Sequence, residues 1–96
     1  APKLSKSSFQ PLLHQVFRCF TGQGHALRLE LVEVREGPAV PGLEQFDLVL
    51  RDTDGAVPLP PDLYRLYHPS MGSVLMHLAP ADSLPGGYVT HFGLFA

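Results

Sequence analysis

Five histidines, one cysteine and two closely spaced aspartates are the residues of this chain with chemistry to offer. The histidines are His14, His25, His68, His77 and His91. A zinc centre needs three or four His, Cys or carboxylate ligands converging on one point. No two of these histidines stand at i, i+4 or at i, i+2, so no local segment supplies two ligands at once. His77 and His91 fall in different predicted strands and could meet across a sheet, with Cys19 as a third member. The expectation is instead exposed or half-buried polar positions on separate strands, with no metal and no other cofactor. Asp52-x-Asp54-Gly55 has the start of a calcium loop. That loop requires a Glu at its twelfth position, and counting from Asp52 the position is Leu63. Asp and Gly are preferred in turns for their backbone behaviour alone, so a turn is predicted there.

Nucleophilic chemistry fares no better. Ser70 and Ser73 lie near His68 and His77, but no G-x-S-x-G elbow is present. Cys19 sits in an apolar run between Arg18 and Phe20, which predicts a buried, inert thiol. Gly22-x-Gly24 is too short for a phosphate loop and does not join a strand to a helix. No residue is assigned a catalytic role. Tyr64 and Tyr67, beside Leu66 and Leu75, either cover the core of a thin sheet or leave aromatic surface exposed; with His77 and His91 the tyrosines are the candidate partner or ligand surface, because aromatic side chains concentrate at interfaces.

The elements that position these residues read as strands. Ser7 and Ser8 offer caps for a short helical turn over Phe9–His14. Phe9, Leu12, Leu13 and Val16 would form its apolar face, and Pro11 is tolerated only in a first turn. Val16–Phe20 is β-rich and is followed by the turn residues Thr21 to Gly24. In His25–Arg35, Leu27, Leu29 and Leu31 alternate with Arg28 and Glu30. The phase then flips to Val32 and Val34, which predicts a bulge near Leu31 and Val32. Glu44–Arg51 alternates Phe46, Leu48 and Leu50 inward. Pro58, Pro60 and Pro61 force an extended path outside any central strand. Leu63–His68, Ser73–Ala79 with Val74, Met76 and Leu78 on one face, and Tyr88–Phe95 with Tyr88, Thr90 and Phe92 on one face complete the set, with Pro69–Gly72 and Pro80–Gly87 as connections.

Composition agrees. Ten prolines and nine glycines in 96 residues favour short strands and frequent turns. An apolar fraction of 45% with 17% charged residues suits one folded domain. Such a domain buries roughly 60–65% of its extended-chain surface, enough for a single core. The net charge is −2 and the basic residues are scattered, so no nucleic-acid partner is expected. A lone cysteine permits no internal disulfide. No apolar run is long enough for a membrane span, and no signal peptide is visible behind Ala1. The expected setting is cytoplasmic.

In order along the chain stand Phe9-x-Pro11-Leu12-Leu13-x-Gln15-x-Phe17, Val32-Glu33-Val34, Gln45-Phe46-x-Leu48, Pro58-Leu59-Pro60, Tyr64-x-Leu66, His68-Pro69-x-x-Gly72 and Leu78-x-Pro80. This succession resembles a small bacterial domain family of unknown function. The resemblance covers Phe9 to Phe92, and its specificity lies in the order of short structural motifs. It implies a stand-alone domain with no catalytic residues, some of whose relatives lie near genes for phage-tail-collar-like proteins. His14 departs from the family pattern, which tends to glycine there.

The resulting reading is an all-β domain of about six antiparallel strands in a small open barrel or roll, with a short N-terminal helical turn. Residues 9–96 form the domain and residues 1–8 a flexible segment. The leading functional reading is a non-enzymatic interaction or structural module whose partner is another protein, and by resemblance an accessory to a phage-tail-like assembly. A small-molecule-binding β-barrel is the alternative, and a metal- or thiol-dependent enzyme stands third.

Overall fold

The computed structural model describes residues 5–20, 26–54 and 59–95. A short α-helix, α1 (Lys6–Phe9), runs directly into a 3-10 turn (Gln10–Leu12). Six strands follow: β1 (Val16–Phe20), β2 (Ala26–Glu36), β3 (Leu43–Asp52), β4 (Asp62–His68), β5 (Gly72–Pro80) and β6 (Gly87–Phe95). All pair antiparallel in the order β1-β2-β3-β6-β5-β4, and β4 returns to β1. The barrel is therefore closed, where the sequence suggested an open one. The closing ladder is short, with Arg18 opposite Tyr67, Cys19 opposite Leu66 and Phe20 opposite Arg65. Closure shortens the free edges that an open sheet would expose, although β5 pairs with β6 only at Ala79 opposite Val89 and Pro80 opposite Tyr88.

Strand alternation sets the core. Phe17 and Cys19 on β1, Leu29 and Leu31 on β2, and Phe46, Leu48 and Leu50 on β3 all point inward and are buried. Leu66 on β4, Val74, Met76 and Leu78 on β5, and Tyr88 and Thr90 on β6 complete the lining. The predicted bulge is present: Leu31 pairs with Leu50, Glu33 pairs with Val49, and Val32 is the extra residue. A bulge bends its strand and increases local twist, which is what a long strand in a small barrel needs.

The N-terminal segment departs from its expected limits. The helix begins at Lys6, so Ser7 and Ser8 lie inside it and Ser5 is the N-cap. Ser5 is buried, and its Oγ lies 3.0 Å from the hydroxyls of both Ser7 and Ser8. The Lys6 N–H donates to Glu44 Oε1 at 2.8 Å, which ties the first turn to β3. Phe9 and Leu12 are buried as predicted, but Leu13 and Val16 are exposed. The helical period ends because the chain reverses at His14, whose φ is 70°. That left-handed conformation is the one glycine adopts most readily. The reversal is pinned on both sides: the His14 N–H donates to the Leu31 carbonyl at 2.7 Å, and the Leu31 N–H donates to the Gln15 carbonyl at 2.9 Å. The predicted turn at Thr21 to Gly24 and the first residue of the second strand, His25, lie outside the described residues, as do Gly55 and Pro58.

At one end of the barrel Phe9 is fully buried among Phe17, Phe46 and Phe92, with ring centroids 6.4, 5.9 and 5.6 Å away. At the other end the proline segment is held by two tyrosines. The Leu59 N–H donates to the Tyr88 hydroxyl at 2.8 Å, and the Tyr64 hydroxyl donates to the Pro60 carbonyl at 2.7 Å. A segment that proline keeps out of the ladder finds its polar partners in these side chains.

Two outcomes test this account. Phe9→Ala should cost about 3–5 kcal/mol of stability by opening a cavity at the aromatic plug, read as a lowered midpoint in chemical denaturation. His14→Gly should raise stability by about 0.5–1 kcal/mol by relieving the left-handed backbone, while His14→Ala should give no such gain. A higher Tm for the alanine variant than for the glycine variant would contradict the strain at this position.

Candidate partner-binding surface

The barrel wall sorts the candidate residues by strand parity. Tyr64 and Tyr67 are an odd number of residues apart on β4, so they face opposite sides of the sheet. Tyr64 points inward, packs against the core and holds Pro60. Its phenol is pushed above the ordinary value, chiefly by loss of solvent and then by the nearby Asp62 carboxylate. Tyr67 points outward and is exposed. His77 and His91 are also exposed, on the outer face of β5 and β6. Extending the β5–β6 register would set them opposite each other, but pairing stops at Ala79 opposite Val89. His91 instead meets Asp47 across the β3–β6 ladder, Nδ1 to Oδ1 at 2.5 Å. Cys19 points into the barrel, away from both histidines. Among the described residues, no three His, Cys, Asp or Glu side chains gather in a group that could hold a metal ion.

The other chemistry-bearing residues serve structure. Burial pushes the Cys19 thiol up to about 11, which at neutral pH leaves well under one thiolate in about a thousand. At the Asp52–Asp54 turn, the Asp54 N–H donates to Asp52 Oδ1 at 2.9 Å. The Asp54 carboxylate grips the Arg28 guanidinium at 3.0 Å, and that hydrogen bond holds its pKa below the ordinary value. The aspartates shape a turn and clip it to β2. His68, expected as an exposed or half-buried position at the end of its strand, is instead buried against the Phe17 ring at 5.0 Å between centroids. Its Nδ1 accepts the Ser70 N–H at 3.0 Å, so Nε2 bears the proton and donates to Gln15 Oε1 at 2.7 Å. The following turn closes through Gly72, whose φ of 72° matches the role read from His68-Pro69-x-x-Gly72.

What remains unexplained by packing is the outer face of β1, β4 and β5. Its side chains are Val16, Arg18 and Phe20 on β1, Leu63, Arg65 and Tyr67 on β4, and Ser73, Leu75 and His77 on β5. In register, Phe20, Arg65 and Leu75 form one row, and Arg18, Tyr67 and Ser73 form the next. Leu63 lies opposite His77. Leu63 is 61% exposed, Leu75 56%, Phe20 49% and Tyr67 39%. A groove of about 440 Å³, lined by Val16, Arg18, Arg28, Tyr67 and Pro69, borders the patch. Sequence reasoning found Tyr67, Leu75 and His77 but passed over Phe20, Leu63 and Arg65, and Leu66, grouped with the tyrosines, is buried. The alternation that exposes Leu63 and Leu75 was legible. Their shared face was not, because it follows from β4 lying between β1 and β5.

The chain belongs to a family described as a domain of unknown function, DUF6916, whose profile matches residues 4–92. Comparison with curated proteins gives no match, and comparison with solved structures gives none. No helix among the described residues is long and apolar enough to cross a membrane.

The buried His68 makes a pH prediction. Loss of solvent lowers its folded-state pKa below the ordinary 6.5. The neutral ring is favoured in the folded state, so its stabilising contribution is complete above that value. It is lost as pH falls from there through the lower folded-state pKa. Denaturation midpoints should drop between pH 8 and pH 5 in the wild type. His68→Gln should lack that component of the drop while being less stable at pH 8. An unchanged pH slope in the variant would remove His68 as its source.

Proposed function

We propose that this protein is a non-enzymatic interaction module that docks another protein on the outer face of β1, β4 and β5. The observation that carries the reading is the run of exposed Phe20, Leu63, Tyr67 and Leu75 on adjacent strands. Isolated exposed apolar residues are ordinary, but a contiguous set on one rigid face marks an interaction site. Aromatic residues and arginine, both present in the patch, are enriched at interface centres. The family resemblance points to the setting: an accessory role in a phage-tail-like assembly of a bacterial cell. Of the candidate surface residues, Tyr67 and His77 belong to this face. Tyr64 supports it from within, and His91 lies beyond it on β6.

The alternative of a small-molecule-binding barrel draws less support. The inward positions of the described strands are filled by side chains that pack on one another, from Phe17 and Leu29 to Phe46, Met76 and Leu78. The groove beside Tyr67 lies outside the barrel wall.

Affinity purification from the source cells, with the wild type beside a Leu63→Asp/Leu75→Asp double variant, tests the proposal. A defined protein should copurify with the wild type and be lost with the variant, while both keep the same circular dichroism and Tm. Recovery of the same protein with both chains would move the interface elsewhere, and recovery of none with either would overturn the reading.

A further inference from the structure

Five arginines lie on the barrel strands, and they divide by face. On β2 and β3 each has a carboxylate. Arg28 reaches Asp54 at 3.0 Å, Arg35 reaches Glu33 at 2.8 Å, and Arg51 reaches Glu30 at 3.1 Å. On the same side His91 holds Asp47. The two remaining arginines, Arg18 on β1 and Arg65 on β4, have no hydrogen-bond or ion-pair partner among the described residues. Both are exposed and both stand in the apolar face of β1, β4 and β5. None of the outward positions of those strands holds a carboxylate. The nearest acid on them, Asp62, is at the end of β4 in the opposite phase, and its Oδ1 accepts its own neighbour's Leu63 N–H at 2.7 Å. A chain of net charge −2 thus carries a locally cationic, apolar face, and the carboxylates at its β2 border, Glu30 opposite Val16 and Asp54 on Arg28, are already engaged by Arg51 and Arg28.

We infer that this face takes an acidic protein segment, whose carboxylates engage Arg18 and Arg65 while its apolar side chains pack on Phe20, Leu63, Tyr67 and Leu75. The inference rests on the docking face proposed above and adds the chemistry of the partner. Arg18 and Arg65 are diagonal neighbours across the β1–β4 ladder, a separation of roughly 7–8 Å. Carboxylates two residues apart on an extended chain lie roughly 6.5–7 Å apart, close to that spacing. Guanidinium groups bind carboxylates through two parallel hydrogen bonds, and the groove between Arg18, Tyr67 and Arg28 offers room for one acidic or aromatic side chain. Two cationic residues are a weak basis for an anionic membrane, at about 1 kcal/mol each. They are weaker still for nucleic acid, whose binding requires many phosphate contacts.

The test uses the whole protein and four probes, read by amide chemical shifts. The first is a pool of short peptides alternating Asp or Glu with Leu, Phe or Tyr. In the second, Lys replaces the acids, and in the third, Ser replaces the apolar residues. The fourth is a phosphatidylserine vesicle. The first pool should bind at least about tenfold more tightly than the second and third, with shifts confined to β1, β4 and β5. The affinity should weaken between about 50 and 300 mM salt. An Arg18→Glu/Arg65→Glu variant, with its fold checked by the same spectrum, should lose the acidic pool and gain the Lys pool. Equal binding of the acidic and Lys pools at this face would keep the docking face and overturn the acidic partner. Preference for the vesicle would overturn the protein partner. Shifts mapping elsewhere, or no binding by any pool, would overturn both.

Discussion

A sheet that closes on itself still has open ends, and here one end is sealed by the ring of Phe9. The ring sits against Phe17 from β1, Phe46 from β3 and Phe92 from β6, so a single side chain from a four-residue helix touches three strands that are distant in sequence. Burying one such ring contributes about 2–3 kcal/mol by area, with ring–ring contacts adding about 0.5–1.5 kcal/mol each. In a domain of this size, where total stability is about 5–15 kcal/mol, the plug is a large share. Its hold depends on α1 being anchored, through the Lys6 N–H on Glu44, and on the chain leaving the helix by the sharp reversal at His14. The left-handed backbone of His14 is thus tied to the seal: the paired bonds between His14, Gln15 and Leu31 hold a conformation that a non-glycine residue adopts at a cost.

The same economy governs the polar groups inside. Among the described residues no buried side-chain nitrogen or oxygen lacks a partner. His68 and Gln15 satisfy each other, and Tyr64 and Tyr88 each serve one backbone group of the proline segment. The residues that first suggested catalysis or metal binding at Cys19, the Asp52–Asp54 turn and His68 are thereby committed. Cys19 is desolvated, the Asp52–Asp54 turn holds Arg28, and His68 is a core residue with a fixed tautomer. Reactivity requires a group with spare bonding capacity facing an accessible space, and these groups have been spent on the fold. Spare capacity remains on the outer face of β1, β4 and β5, in two arginines and a set of apolar side chains that nothing in the described chain covers.

How much of this was legible beforehand varied with the range of the interaction involved. The bulge at Leu31–Glu33 was readable because a phase flip in hydrophobic alternation is a local signal. The turn at Gly72 was readable because proline and glycine constrain their own backbone. The inward sets Phe46-Leu48-Leu50 and Val74-Met76-Leu78 followed from a period of two. The helix limits were misplaced because Leu13 and Val16 continue the apolar spacing beyond the point where His14 reverses the chain. Leu13 and Val16 satisfy a helical pattern and yet end up facing water, since the ladder with β2, in which Val16 sits opposite Glu30, sets their direction.

By itself, then, the sequence determined the strand content, the buried faces of β2, β3 and β5, the bend in β2 and the burial of Cys19, all properties that a residue and its near neighbours decide. Only the tertiary structure decided that the barrel closes, because the β1–β4 ladder joins segments on either side of β2 and β3. It also decided that Phe9 is a plug, and that Tyr64 packs inward as Tyr67 meets Arg18 across a strand boundary. The candidate surface is a product of that closure. Phe20, Arg65 and Leu75 are far apart in the chain, and they form one row because β4 pairs with β1 on one side and β5 on the other.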